Sequence, residues 1–282
     1  MKTTRTKVDS YRSRFGLAHH PLPRDAAGKT FFDQTASYIR LETYFQELLD
    51  EPGLGVLTAE PGVGKTAAIR NLCASLPAPD FKVLYLCDTA VSAFDLYRVL
   101  ALELGLKPSH RRAQLWWDLK RAIVHLVEEQ HTLPVLVLDE AQLLSDRFLT
   151  DLSGFLNYAF DRKTLLTLWL VGLPALTSRL RMQHHAPLAS RIAARLHLDP
   201  LQRQDFAALI DHALKAAGCK DKLLTDPAFE ILWRSCNGIP RAASRILRAA
   251  LRAAHRLNQN LVDDHALTAA IDELTPRQEE KP

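Results

Sequence analysis

Apolar and polar positions along the chain follow two regimes, and the change comes near Pro200. Before it, short apolar runs alternate with longer stretches of helical period. "LGVLT" (54–58), "FKVLYLC" (81–87), "PVLVL" (134–138), "LLTLWLV" (165–171) and "RLHLDPL" (195–201) each predict a strand. Helices are expected near 35–50, over 65–76, 92–105 and 110–130, and near 146–160. Segment 65–76 places Ala68, Ile69, Leu72 and Leu76 three or four residues apart, and segment 92–105 opens on a serine and closes on a glycine. After Pro200 only helical spacing remains, over 202–217, 226–235, 239–257 and 263–274. Strands separated by helices imply an α/β fold with a parallel sheet covered on both faces, followed by a small all-helical domain. The expected division is an N-terminal arm over 1–30, a core over 31–200, a helical domain over 201–275 and a polar tail over 276–282.

Composition narrows this picture only modestly. Of 282 residues, 47% are hydrophobic and 24% charged, which is globular rather than disordered. Lys and Arg outnumber Asp and Glu by 36 to 32 and the pI is about 8.9, so a case for nucleic acid rests on where charge sits. Cys73, Cys87, Cys219 and Cys236 have no metal-ligand spacing and read as reduced. The N-terminus lacks an apolar core for a signal peptide, and "LLTLWLVGLPAL" (165–176) is too short to span a bilayer. A cytoplasmic protein without a membrane span is the expectation.

Chemistry enters at "AEPGVGKT" (59–66), which fits the phosphate-binding pattern G-x-x-x-x-G-K-[ST] except that Ala59 stands at the first glycine. The segment Glu60, Pro61, Gly62, Val63, Gly64, Lys65, Thr66 and Ala67 would wrap the phosphates. The segment from Pro61 to Lys65 supplies the nest of backbone N–H groups, Lys65 opens a helix whose positive end faces the phosphates, and the Thr66 hydroxyl binds Mg2+. Alanine is tolerable at position 59 if φ stays negative there. A second element, "PVLVLDE" (134–140), carries Asp139 and Glu140 at a strand end. Asp139 would orient Mg2+ and Glu140 would polarise the attacking water. Together the two elements predict an ATP-hydrolysing P-loop protein. Arg191 and Arg195 in "PLASRIAARLHLDPL" (187–201) precede the last expected strand, from which an arginine of one subunit can reach the γ-phosphate of the next. Either can equally be a solvated helix arginine. Arg241, in the first turn of a long helix, could touch the nucleotide.

The order of "AEPGVGKT", "VLVLDEAQLL", "LVGLPAL", "LASRIAARLHLDPL" and "GIPRAASRI", with "YRSRFGLAHHPL" ahead, resembles the AAA+ ATPases of the ExeA type. That group includes general secretion ATPases and transposon-encoded ATPases related to TnsC and TniB. The resemblance spans about 11–274. It implies a five-stranded parallel P-loop NTPase core, a helical AAA+ lid, ATP with Mg2+, and assembly into a homo-oligomer, ring or filament. It assigns Lys65 and Thr66 to the phosphate loop, Asp139 and Glu140 to the acidic pair, Arg191 or Arg195 to the inter-subunit finger and Arg241 to the second sensor. Leu173 departs from it, standing where members often carry a polar residue that contacts the attacking water. Slow, switch-like hydrolysis is therefore expected.

Secretion members normally continue into a membrane helix, whereas this sequence stops after the helical region. That favours a helper that oligomerises with ATP on double-stranded DNA and serves a DDE transposase. The alternative is an ExeA-like secretion or envelope-assembly ATPase without DNA binding, and a replication or partition initiator ranks third. Arg241, Arg245, Arg248, Arg252 and Arg256 share one helical face, which is either a phosphate-tracking ridge or a solvated surface. Lys2, Arg5, Lys7, Arg12 and Arg14 add a basic N-terminal arm. Trp116 and Trp117 read as core, and Phe15, Phe31 and Phe32 as core or adenine packing. His184 and His185 lack a third ligand at useful sequence spacing.

Overall fold

The computed structural model describes residues 11–87, 89–158, 162–219 and 221–274. Lys2, Arg5 and Lys7 of the expected arm, the tail over 276–282 and positions 159–160 lie outside the described residues, and the helix expected near 146–160 ends earlier, at Phe155.

The strands are β1 (Leu54–Ala59), β2 (Phe81–Leu86), β3 (Leu133–Leu138), β4 (Thr167–Gly172) and β5 (Ile192–Leu198). They form one sheet in the order β2-β3-β4-β1-β5, and every neighbouring pair is parallel. Position in the sheet explains the composition of each strand. β1 and β4, in the interior, are buried at every residue and read as unbroken apolar runs, because helices cover both faces. The edge strand β5 alternates, with Ala194, Leu196 and Leu198 buried and Ala193, Arg195 and His197 exposed.

Twelve helices are described: α1 (Tyr11–Arg14), α2 (Ala36–Asp50), α3 (Lys65–Ala74), α4 (Ala93–Glu103), α5 (Arg112–Glu128), α6 (Asp146–Phe155), α7 (Ala175–Leu180), α8 (Ala186–Ala189), α9 (Arg203–Ala216), α10 (Asp226–Cys236), α11 (Pro240–Arg256) and α12 (Asp264–Leu274). Side-chain caps start four of them. Ser92, Ser145, Thr225 and Asp263 accept from the backbone N–H groups of Asp95, Phe148, Ala228 and Ala266, satisfying donors that the first turn leaves open.

The chain divides into two compact units. One comprises Ala36–Pro61 and Ala68–Asp199 and contains the whole sheet; Leu136, Leu138, Leu168 and Leu170 lie at its centre with Tyr97, Phe148 and Phe155 from the helices. The other comprises the chain up to Thr35, Gly62–Ala67 and the chain from Pro200 onward. In it Tyr11, Phe15 and Leu17 pack into the core built by α9 to α12. Phe15 is thus a core residue of the helical unit, and Phe32 lies against His212 at 5.6 Å between ring centroids. The tryptophan pair splits. Trp116 packs on Tyr97 and Phe155 at 5.4 and 5.3 Å, whereas Trp117, expected in the core, is 64% exposed because adjacent helix positions face different sides.

One close approach sets the sheet interior. Gly55 of β1 is paired with Trp169 of β4, and the indole, fully buried and stacked on Phe45 at 5.9 Å, lies where a side chain on Gly55 would stand. A Cβ there would come within 2.7 Å of the indole ring. Gly55→Ala is expected to destabilise the protein by about 1–3 kcal/mol through overpacking. Thermal unfolding should register this as a midpoint lowered by several degrees.

Candidate nucleotide site

The candidate phosphate-binding segment leaves the sheet from the carboxy end of β1. Ala59 is still a strand residue, buried and paired with Leu198 of β5, so its conformation does not call for glycine. The glycines that matter come later. Gly62 and Gly64 have φ of +89° and +122°, which side-chain-bearing residues rarely adopt. α3 begins at Lys65, which is only 6% exposed, and Thr66 follows in its first turn. Backbone donors, a helix N-terminus, an ammonium and a hydroxyl thus follow one another over 62–66, the donor set that a triphosphate and its Mg2+ require. Within the same unit, the Gly62 carbonyl accepts the backbone N–H of Arg241 at 3.2 Å. Arg241 lies, itself exposed, in the first turn of α11, so the helix bearing it is fastened to the loop.

The acidic pair stands at the carboxy end of β3. Asp139, 3% exposed, accepts the Glu140 N–H through Oδ1 at 2.8 Å and the Tyr85 hydroxyl through Oδ2 at 2.9 Å. Burial, and then the charge of Asp139, push the Tyr85 phenol well above its ordinary value, so it remains a donor. Glu140 adopts a left-handed backbone, φ +51° and ψ +37°, uncommon for a residue with a side chain. That turn is held by the Thr89 hydroxyl on the Glu140 carbonyl at 2.9 Å and by the Leu143 N–H on the same oxygen at 2.9 Å. The Glu140 carboxylate accepts the Gln142 amide through Oε2 at 2.7 Å. The Gln142 carbonyl oxygen in turn accepts the Leu173 backbone N–H at 2.9 Å. Thr167, at the opposite end of β4, is buried and donates to the Leu48 carbonyl.

The arginines separate. Arg191 precedes β5 and lines an open polar pocket of about 460 Å³ with Arg162, Lys163 and Ser190. Arg195, expected ahead of the last strand, lies inside it, exposed and donating to the Ala189 carbonyl at 3.2 Å. The strand begins three residues earlier than its apolar run, because Ile192-Ala193-Ala194 pairs with β1 although alanine favours helices. On α11, Arg241, Arg245, Arg252 and Arg256 are exposed and Arg248 is half-buried. Arg256 pairs with Glu273 at 2.6 Å. Arg14 of the expected basic arm donates to the Gln259 carbonyl at 2.8 Å and to the side chains of Asn258 and Asn260.

Asp146 gives His184 and His185 the spatial neighbour that sequence spacing concealed, with one ligand atom from each within 4.8 Å of the others. The Asp146 carboxylate is already taken by Arg179 and by His185 Nε2, and the Arg179 bond, followed by that of His185, holds its pKa below the usual range. Arg179 also donates to the Gln142 carbonyl at 2.7 Å, tying the turn after Glu140 to α7. Gln142, Tyr85, Thr89 and Arg179 were not singled out by sequence. Only "DEAQ" gave a local hint, and it covers just one of the four.

Residues 48–180 match the AAA domain family. The chain is 33% identical over 248 residues to general secretion pathway protein A of Aeromonas hydrophila, covering 86% of this chain and 45% of that protein. Over residues 48–180 the chain is an AAA domain. It spans less than half the length of that curated relative. Solved AAA+ structures share its fold. The Aeropyrum pernix ORC1 protein in complex with DNA has a TM-score of 0.68 at 17% identity, covering 95% of this chain and 71% of that one. Drosophila ORC bound to DNA has a TM-score of 0.73 at 18% identity, covering 97% and 69%. Among the described residues, no helix of this AAA+ protein is long and apolar enough to cross a membrane.

A side chain on Gly62 would strain the loop and bring its Cβ within 2.9 Å of Arg241 Cβ and 3.0 Å of Ile239. Gly62→Ala is expected to weaken binding of a fluorescent ATP analogue by about tenfold, from a backbone cost on the order of 1–2 kcal/mol. Equilibrium titration measures it.

Proposed function

We propose that this AAA+ protein is an ATPase that binds Mg·ATP, assembles with copies of itself on duplex DNA, and presents that DNA to a DDE transposase. The observation that carries the reading is the sheet topology. β1 delivers the phosphate loop and β3 delivers Asp139 and Glu140 at the same carboxy-terminal edge, with only β4 between them. Open parallel sheets bind their ligands beyond this edge.

In this reading Glu60–Ala67 and Lys65 in particular hold the phosphates, and Thr66 and Asp139 hold Mg2+. The ion neutralises charge as it develops on the transferred phosphoryl group. Glu140 takes a proton from the attacking water. Arg191 reaches the phosphate bound to a neighbouring subunit, while Arg195, inside β5, is the weaker candidate. Arg241, fastened to Gly62, links the angle of α11 to the state of the loop. The DNA assignment is supported by exposed Arg241, Arg245 and Arg252 on one face of α11, and by the DNA-bound ORC proteins among the fold relatives. A second reading, a secretion ATPase component without DNA binding, is favoured by the 33% identity to general secretion pathway protein A.

Lys65→Ala should abolish nucleotide binding and assembly together, as read by analogue titration and light scattering. Glu140→Gln should retain binding while turnover falls by about 10²–10⁴-fold, the usual contribution of a general base. The combined Arg245→Glu and Arg252→Glu variant should lose duplex binding and flatten its salt dependence in a fluorescence-anisotropy titration with a non-hydrolysable analogue. Wild-type protein that ignores duplex DNA even at low salt would leave the secretion reading in possession.

A further inference from the structure

We infer that Gln142 is the positioning residue for Glu140, and that it couples the carboxylate to the carboxy end of β4 through a backbone N–H rather than through a polar side chain. The inference rests on the hydrolytic reading above and names a residue that reading does not use. Its geometry follows from donor and acceptor chemistry. The Leu173 N–H can only donate, so the Gln142 atom 2.9 Å from it is the carbonyl oxygen. The amide nitrogen must then be the atom facing Glu140 Oε2 at 2.7 Å, and an ionised carboxylate accepts from it. Both ends of the amide are thus assigned by their partners, and one conformation satisfies them. Held by Oε2, Glu140 keeps Oε1 for water.

Two further observations fix the tether in place. Gly172 leaves room for it, since a Cβ there would stand 2.6 Å from Gln142 Oε1. Arg179 grips the Gln142 main-chain carbonyl at 2.7 Å. Leu173 therefore does not leave the end of β4 without a link to the attacking water. The link runs through its main chain, and the leucine side chain is incidental to it.

The test compares steady-state ATP turnover, analogue binding and thermal unfolding for Gln142→Ala, Gln142→Glu and Gly172→Ala. Gln142→Ala should lower kcat by about 10- to 100-fold, the loss expected when a reacting group shifts by about an ångström, with KM unchanged within about twofold. Gly172→Ala should show the same loss with the fold intact, because the nearest atom its Cβ meets is the movable end of the Gln142 side chain, the Gln142 backbone nitrogen and Leu176 Cδ2 standing farther off at 3.3 Å. Combining the two should be no worse than either alone, since both remove one interaction.

Gln142→Glu supplies a readout that a merely structural role would not move. It keeps the length of the side chain but replaces the donor facing Glu140 by a second acceptor, so kcat should fall at least as far as in Gln142→Ala while KM stays within about twofold of wild type. Wild-type kcat in both Gln142→Ala and Gly172→Ala, with Glu140→Gln still stalled, would overturn the inference and leave the hydrolytic reading standing. Unchanged turnover in Glu140→Gln would instead remove the hydrolytic reading itself. Should Gln142→Ala fail to fold, Gly172→Ala and the kcat and KM of Gln142→Glu decide the matter.

Discussion

The register between β3 and β4 is the constraint from which the rest of the site follows. Val135 to Leu138 pair in step with Thr167 to Leu170. That alignment sets the height at which Asp139 follows β3 and Leu173 follows β4. Because alternate residues of a strand face opposite sides, a slip of one residue would exchange the side chains packed under the two helical layers and carry Leu173 out of reach of Gln142. The apolar filling of the sheet interior therefore also fixes the relative position of the polar groups at its carboxy edge.

Much of the fold can be read in the sequence because its causes are local. Interior strands of a parallel sheet must be apolar on both faces, and "LGVLT", "PVLVL" and "LLTLWLV" are. Serine and threonine caps mark helix starts directly. β5 was less legible because its first half is alanine, whose preference is overridden by pairing with β1. The phosphate loop and the acidic pair were visible as residue types at fixed spacing. Gln142 was not, for a specific reason. Its partner at position 173 is a main-chain N–H, which every residue but proline supplies, so the identity of residue 173 carries no information about the bond. A search for a polar side chain there finds leucine and infers a gap that the backbone fills. Tyr85 was hidden differently, since its contact with Asp139 depends on how β2 is aligned with β3.

Charge on α11 shows how a helical stripe divides once its surroundings are known. Five arginines share a face by spacing, yet their circumstances differ. Arg256 is neutralised by Glu273, and Arg248 is half-buried with its charge acting on Tyr11 and His20. Burial first, and then Arg248, hold the His20 imidazole below its ordinary pKa, so that residue adds no charge to the region near neutrality. The main chain of Arg241 is fastened to Gly62. Periodicity specifies direction but not whether an anionic partner already waits there.

The left-handed backbone at Glu140 has a consequence for the protein's stability. Asparagine or glycine would occupy that conformation with less strain than glutamate does. Either substitution would make the fold sturdier and remove the carboxylate on which the proposed hydrolysis depends. On that proposal, robustness and turnover pull in opposite directions at position 140.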